Sequence, residues 1–139
     1  MGSMTPGQIA VVEDTLATID LEALTADFYR RAFAEDPSLS DMFTTDPAVQ
    51  RARFAAELDE IVRSMRSMEA FEPEVRALGE RHRRYGVRSA HYRLMGKMLL
   101  AAIASALGDR WTPEVEEAWS LAYNLTAETM MLGAMDRDP

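Results

Sequence analysis

The chain has 139 residues, with 15 Lys and Arg against 23 Asp and Glu, and its formal net charge is −8 at pH 7. This acidic balance disfavours nucleic-acid phosphates as partners. The lack of cysteine excludes disulfides, thiolate metal sites and cysteine nucleophiles from this sequence. No apolar run reaches the roughly 18 residues of a membrane span, so we expect a cytoplasmic protein without a membrane partner.

The length corresponds to one ordinary domain. We interpret residues 1–3 (Met-Gly-Ser) as a remnant of cloning, residues 4–135 as the folded domain and residues 136–139 as a short polar tail.

The starts of several predicted helices carry clear capping signals. Thr5, Asp46 and Thr112 each precede a proline, the pattern of a polar N-cap followed by proline in the first turn. Apolar residues then recur at helical spacing. The expected helices cover about residues 6–19, 21–35, 47–65, 73–85, 90–107 and 113–133, with a short turn at residues 38–43. No alternating strand pattern interrupts them, so the sequence predicts an all-α protein of six or seven helices.

One histidine lies on an apolar face of a highly charged helix. His82 follows Leu78 by four residues and precedes Tyr85 by three, so these side chains share one face. The simplest interpretation is a core histidine bonded to a carbonyl or a tyrosine. With only two histidines and no metal-binding spacing, a site made of side chains alone is disfavoured. Haem needs only one imidazole from the protein, and His82 could supply it.

Two polar residues lie beside predicted apolar stripes. Tyr29 is one helical step from Phe28, and Gln50 lies one turn before Phe54. A buried tyrosine needs a hydrogen-bond partner, and a glutamine here could donate to a small ligand. Taken alone, Tyr29 is better explained as an ordinary core or boundary tyrosine, and a glutamine near a helix start is unremarkable.

A set of short motifs accompanies these residues along the chain. In chain order they are Phe28-Tyr29, Met42-Phe43, His82 with Gly86-Val87, His91-Tyr92 with Gly96, Leu107-Gly108-Asp109, Trp119 and Ala122-Tyr123. Together they resemble the haem domain of flavohaemoglobins and related bacterial single-domain globins, over residues 6 to about 131. The resemblance implies a globin fold, with the six or seven helices packed around a haem pocket.

The resemblance also implies roles for individual residues around haem b (iron protoporphyrin IX). His82 would be the proximal iron ligand, and Phe43 would pack against the porphyrin. Tyr29 would donate to a diatomic ligand on the distal side with support from Gln50. Phe54 would occupy a distal position that is often leucine in the family.

On the proximal side, the resemblance places Tyr92 near His82, and Tyr85 is expected to contact the haem. Arg84 and Arg88 are the favoured partners of the haem propionates. Their arginine cluster, residues 81–93, could instead dock an acidic reductase or form a solvated helix face. Our alignment puts Ala134 where flavohaemoglobins have a glutamate that supports the proximal histidine. Without that glutamate, peroxidase-like chemistry should be weaker than in flavohaemoglobins.

The expected function is binding of dioxygen by haem, with conversion of nitric oxide to nitrate as the enzymatic activity. Because the sequence has no reductase domain, a separate flavin reductase would supply electrons. The alternative is a carrier or sensor of dioxygen, nitric oxide or other diatomic ligands with little turnover. A globin that has lost haem is disfavoured because Tyr29, Phe43, Gln50 and His82 are all present. The oligomeric state is left open, with a homodimer as one option.

Overall fold

A computed structural model describes residues 4–136; both the predicted N-terminal remnant and residues 137–139 of the predicted tail lie outside this range. Six α-helices follow in chain order: α1 (Pro6–Ala17), α2 (Leu21–Glu35), α3 (Pro47–Ser64), α4 (Met68–Arg84), α5 (Ser89–Leu107) and α6 (Pro113–Asp136). Short 3₁₀ turns form at Pro37–Met42 and Gly108–Arg110. With no strand within residues 4–136, the all-α prediction is confirmed. None of these helices combines the length and the hydropathy that crossing a membrane requires.

The helix ends largely follow the capping signals. Thr5 and Gln8 form the reciprocal capping box: the Gln8 N–H donates to Thr5 Oγ1 at 3.1 Å, and the Thr5 N–H donates to Gln8 Oε1 at 2.9 Å. Gly86, just past the end of α4, has a φ of +90°, which favours glycine. Helix α1 ends two residues earlier than predicted, because the Thr18 N–H turns back to the carbonyl of Thr15 and Asp20 caps the next helix.

The start of α4 differs from the prediction. The sequence predicts a break at residues 67–72 and a helix from Pro73, but α4 begins at Met68 and contains Pro73. Phe71 is fully buried, and its N–H donates to the carbonyl of Ser67 at 2.9 Å. This packing stabilises the first turn, so the single backbone donor that proline removes is tolerated. The prediction was wrong because the free energy gained by burying Phe71 exceeds the cost of placing Pro73 inside the helix.

Helices α4 and α6 pack in close, antiparallel contact. A Cβ atom at Gly79 would lie 1.9 Å from the carbonyl oxygen of Met130, and one at Gly133 would lie 2.1 Å from that of Arg76. Only glycine allows two backbones to approach this closely. Because Gly79 lies one turn before His82, this crossing fixes the position of His82 relative to α6.

Candidate functional site

The main cavity of the described chain has a volume of about 620 Å³ and is bounded by side chains from α2, α3, α4, α5 and α6. Such a volume is typical of a site for a small molecule or cofactor. Most of its wall is apolar or aromatic. Seven of the predicted site residues line it: Tyr29, Phe43, Gln50, Phe54, His82, Tyr85 and Tyr92. Residues far apart in sequence are thus brought to one cavity.

A hydrogen-bonded pair forms one polar point of the wall. Gln50 Nε2, on α3, lies 3.2 Å from Tyr29 Oη, on α2, and donates to it. Burial raises the pKa of the Tyr29 phenol, and the hydrogen bond from Gln50 opposes this only in part. The phenol therefore stays protonated near neutral pH. Since Gln50 occupies a lone pair of Oη, the phenolic proton is left to donate elsewhere.

Aromatic rings surround this pair. The ring of Tyr29 packs edge-on against Phe28 at a centroid distance of 5.0 Å and against Phe43 at 5.4 Å. Phe54 stacks on Phe28 at 4.9 Å. Such ring contacts hold the phenol in one orientation and keep water from that part of the cavity.

His82 is oriented by its own helix. Its Nδ1 donates to the carbonyl oxygen of Leu78 at 2.9 Å, and since a carbonyl only accepts, the proton lies on Nδ1. The Nε2 lone pair is then available as a ligand. Ala134, which our alignment puts in place of the family's proximal glutamate, is on α6 and does not line the cavity. Among residues 4–136, no group of three or more His, Cys, Asp or Glu side chains could itself hold a metal ion.

The second histidine also lines the cavity but is arranged differently. His91 Nδ1 accepts a hydrogen bond from the backbone N–H of Arg88 at 2.8 Å. In this neutral tautomer Nε2 carries the proton and has no lone pair to offer. The hydrogen bonds therefore distinguish the two histidines: Nε2 of His82 can bind a metal, whereas Nε2–H of His91 can donate a hydrogen bond. Sequence spacing alone did not identify His91 as a lining residue.

Two tyrosines form the wall beside α5 and α6. Tyr123 Oη donates to the backbone carbonyl of Tyr92 at 2.6 Å, and the absence of a Cβ at Gly96 lets the Tyr123 ring lie against α5. Burial raises the pKa of Tyr92 to about 12 and that of Tyr123 still further. Both are neutral phenols in the physiological range. The expected role of Tyr92 beside His82 stays a prediction, because the observed partner of His82 is Leu78.

The arginines that border the cavity are not those favoured from sequence. Arg84 and Arg88 are absent from the lining, and Arg84 instead forms an ion pair with Glu80 at 2.8 Å. Arg81 on α4 and Arg53 on α3 do line the cavity, and both are exposed. The two exposed cations therefore border the cavity from two different helices.

A carboxyl group in the wall was missed by the sequence analysis. Glu57 lines the cavity from α3 and is half-buried. Burial raises its pKa, and electrostatic interactions with His82, Arg81 and Arg53 lower it by less. Glu57 lies seven positions after Gln50, two helical turns along α3, so helical spacing puts both on one face and could have revealed Glu57.

With this geometry established, comparison with known proteins identifies the family. The sequence profile of the globin family matches residues 26–130, and the chain belongs to that family. It is 33% identical to a flavohemoprotein of Deinococcus radiodurans over 92% of this chain and 33% of that protein. The chain spans about a third of the length of the first curated relatives it matches.

Solved structures show the same fold. A bacterial globin from Campylobacter jejuni superposes with a TM-score of 0.84 at 24% identity, covering 95% of this chain and 97% of that one. A flavohemoglobin from Malassezia yamatoensis, solved with bound FAD and heme, gives a TM-score of 0.80 at 25% identity. That match covers 95% of this chain and 37% of the other. The globin fold predicted from the sequence is confirmed.

Proposed function

We propose that this globin binds haem b in the cavity, with Nε2 of His82 as the iron's protein ligand. The main support is the hydrogen bond from His82 Nδ1 to the carbonyl of Leu78. It leaves the Nε2 lone pair of His82 free to bind a metal, whereas Nε2 of His91 carries a proton. His82 and the Tyr29–Gln50 pair are both lining residues, one on α4 and the other on α2 and α3.

The residues present fit this cofactor by size and by chemistry. A cavity of about 620 Å³ with a mainly apolar and aromatic lining suits a flat, apolar macrocycle. Arg53 and Arg81, which line the cavity but reach solvent, suit the two propionate groups. Phe43, at the wall next to Tyr29, offers a ring for packing against the porphyrin.

When bound, haem supplies a redox-active iron at which diatomic ligands bind and react. The protein then has two tasks on the distal side. The Tyr29 phenol donates a hydrogen bond to a ligand held in the cavity, since Gln50 already occupies an oxygen lone pair and orients the ring. Phe28 and Phe54 keep the site dry, which strengthens that bond.

The proposed activity is dioxygen binding followed by conversion of nitric oxide to nitrate, with one electron per turnover supplied by a flavin reductase. A strong donor such as Tyr29 retains dioxygen and so favours its reaction over its release. The flavohemoprotein relatives support this proposal, because their names combine a flavin and a haem group.

A carrier or sensor of diatomic ligands is the second candidate, and one observation favours it. His82 is bonded to the carbonyl of Leu78 rather than to a carboxylate. A carbonyl acceptor makes the imidazole a weaker electron donor than a carboxylate does. Such a proximal side suits reversible ligand binding without further activation.

Steady-state consumption of nitric oxide by haem-loaded protein separates the two candidates. The assay contains dioxygen, NADH and a flavin reductase, and nitrate is quantified as the product. Nitrate formation above that of the reductase alone supports the enzymatic function. Its absence, in protein that still binds dioxygen reversibly, leaves the carrier or sensor. Tyr29→Phe should lower turnover, whereas the control Glu128→Gln, at an exposed position of α6 outside the cavity, should not.

A further inference from the structure

A second cavity, with a volume of about 360 Å³, lies where the end of α1 and the start of α2 meet α3. The apolar part of its lining consists of four aliphatic side chains, Leu16, Ile19, Leu21 and Val62, together with Ala17. Ala17 is exposed, whereas Leu16 and Val62 are buried, so the cavity extends inward from the surface of the protein.

The charged residues that line this second cavity are held in ion pairs. Glu13 Oε1 lies 2.7 Å from Arg66 Nη2, and Asp59 Oδ2 lies 2.8 Å from Arg63 Nε. Because these lining charges already have oppositely charged partners, the cavity favours an uncharged occupant. A cavity of about 150 Å³ with apolar walls is large enough to bind xenon. The second cavity therefore suits small apolar molecules.

Val62 separates the second cavity from the main one. Among residues 4–136 it alone lines both cavities, and its exposed fraction is only 4%. Phe54, Leu58 and Val62 follow one another at intervals of four residues on α3 and all line the main cavity, so they form one apolar face. Phe54 packs against the ring of Tyr29 at a centroid distance of 5.9 Å. The face therefore begins beside the proposed ligand donor and ends, about 12 Å further along the helix, at the second cavity.

We propose that the second cavity takes up apolar diatomic molecules, such as dioxygen and nitric oxide, and passes them to the main cavity through a gate formed by Val62. The inference rests on the proposed haem binding and adds the route by which ligands arrive. Valine in a helix strongly prefers one χ1 rotamer, so opening requires Val62 to leave that rotamer. Passage of the gate is therefore slow enough to influence the rate of ligand binding.

The direct test fills the second cavity from outside and measures carbon monoxide binding to the ferrous haem-loaded protein after flash photolysis. Ala17 is exposed and does not line the main cavity, so Ala17→Trp places an indole in the route without touching the ligand site. If most ligand enters this way, the association rate constant should fall by about twofold or more. Ala106→Trp adds the same indole at an exposed position of α5 outside both cavities and should leave the rate unchanged.

The dissociation rate separates an effect on the route from an effect on the ligand site. A gate changes the barrier and leaves the free and bound states as they are, so both rate constants change by the same factor. Ala17→Trp should therefore slow association and dissociation equally, and Val62→Ala, which shortens the gate, should speed both equally. The affinity for carbon monoxide should stay that of wild type in each variant. A change in affinity that accounts for the change in rate would overturn the proposal.

Xenon, an inert apolar probe, tests occupation of the second cavity without any ligand kinetics. In the diamagnetic carbon monoxide complex, the methyl NMR signals of Leu16 and Val62 should shift with xenon pressure until they saturate, and Ala17→Trp should abolish the shift. Unshifted methyl signals in wild type would contradict the proposal. If wild type shows no Soret band with haem, the proposed function fails as well. If it binds haem and carbon monoxide, and Ala17→Trp matches its rates, this inference alone fails.

Discussion

His82 Nδ1 lies 2.9 Å from the carbonyl oxygen of Leu78, one turn earlier on the same helix. This bond fixes the tautomer of the imidazole and limits rotation of the ring. The helix itself is held by the contact of Gly79 with the backbone of Met130 on α6. The position of the ligand candidate is therefore determined by backbone groups of α4 and by one close helix crossing.

Replacing Tyr29 with phenylalanine should speed the dissociation of dioxygen from the haem-loaded protein by about tenfold to hundredfold, the effect of losing one hydrogen bond of about 1.5–3 kcal/mol. The substitution retains the ring contacts with Phe28 and Phe43, so the cavity keeps its shape. Stopped-flow displacement of dioxygen by carbon monoxide measures the rate. An unchanged rate would mean that Tyr29 does not bond to the ligand.

Gly79→Ala should lower the free energy of unfolding by about 2–3 kcal/mol or more, since the new methyl group would overlap the Met130 backbone and neither helix can move cheaply. Urea denaturation of the haem-free protein measures this. Gly7→Ala is the matched control, because its Cβ would meet only Thr5 at 3.8 Å and alanine is the better helix former. Equal stability of Gly79→Ala and wild type would contradict the close crossing of α4 and α6.

The haem-free protein should show a pH dependence that comes from Glu57. Burial raises the folded-state pKa of this carboxyl, so its contribution to stability is present at acid pH and is lost as the pH rises through that pKa. The free energy of unfolding of Glu57→Gln, relative to that of wild type, should therefore be higher at about pH 7 than at about pH 4. Urea denaturation at both pH values measures the gain. A difference that is the same at both pH values would show that ionisation of Glu57 has no part in it.

Much of the fold could be predicted from the sequence because the decisive signals are local. The N-caps at Thr5, Asp20 and Asp46 each use their own side chain to bond a backbone N–H in the first turn. The start of α4 could not be predicted in this way. There the burial of Phe71 depends on the rest of the core, and this tertiary contact overrides the local effect of Pro73.

The site shows the same division. Spacing and resemblance predicted roles for Tyr29, Gln50 and His82, and the side chains of all three line one cavity. Neighbouring arginines on a helix point about 100° apart, so the sequence could not tell which of the cluster would reach that cavity. Arg81 does, whereas Arg84 turns to Glu80.

The most direct test of the central claim is an optical spectrum of purified protein supplied with haem, taken for wild type, His82→Ala and His91→Ala. Both histidines line the cavity, but His82 alone of the two has a free Nε2 lone pair. We expect wild type and His91→Ala to show a sharp Soret band that shifts on reduction and again under dioxygen, and His82→Ala to lose or grossly alter it. A normal spectrum in His82→Ala, or no haem spectrum in wild type, would contradict the account.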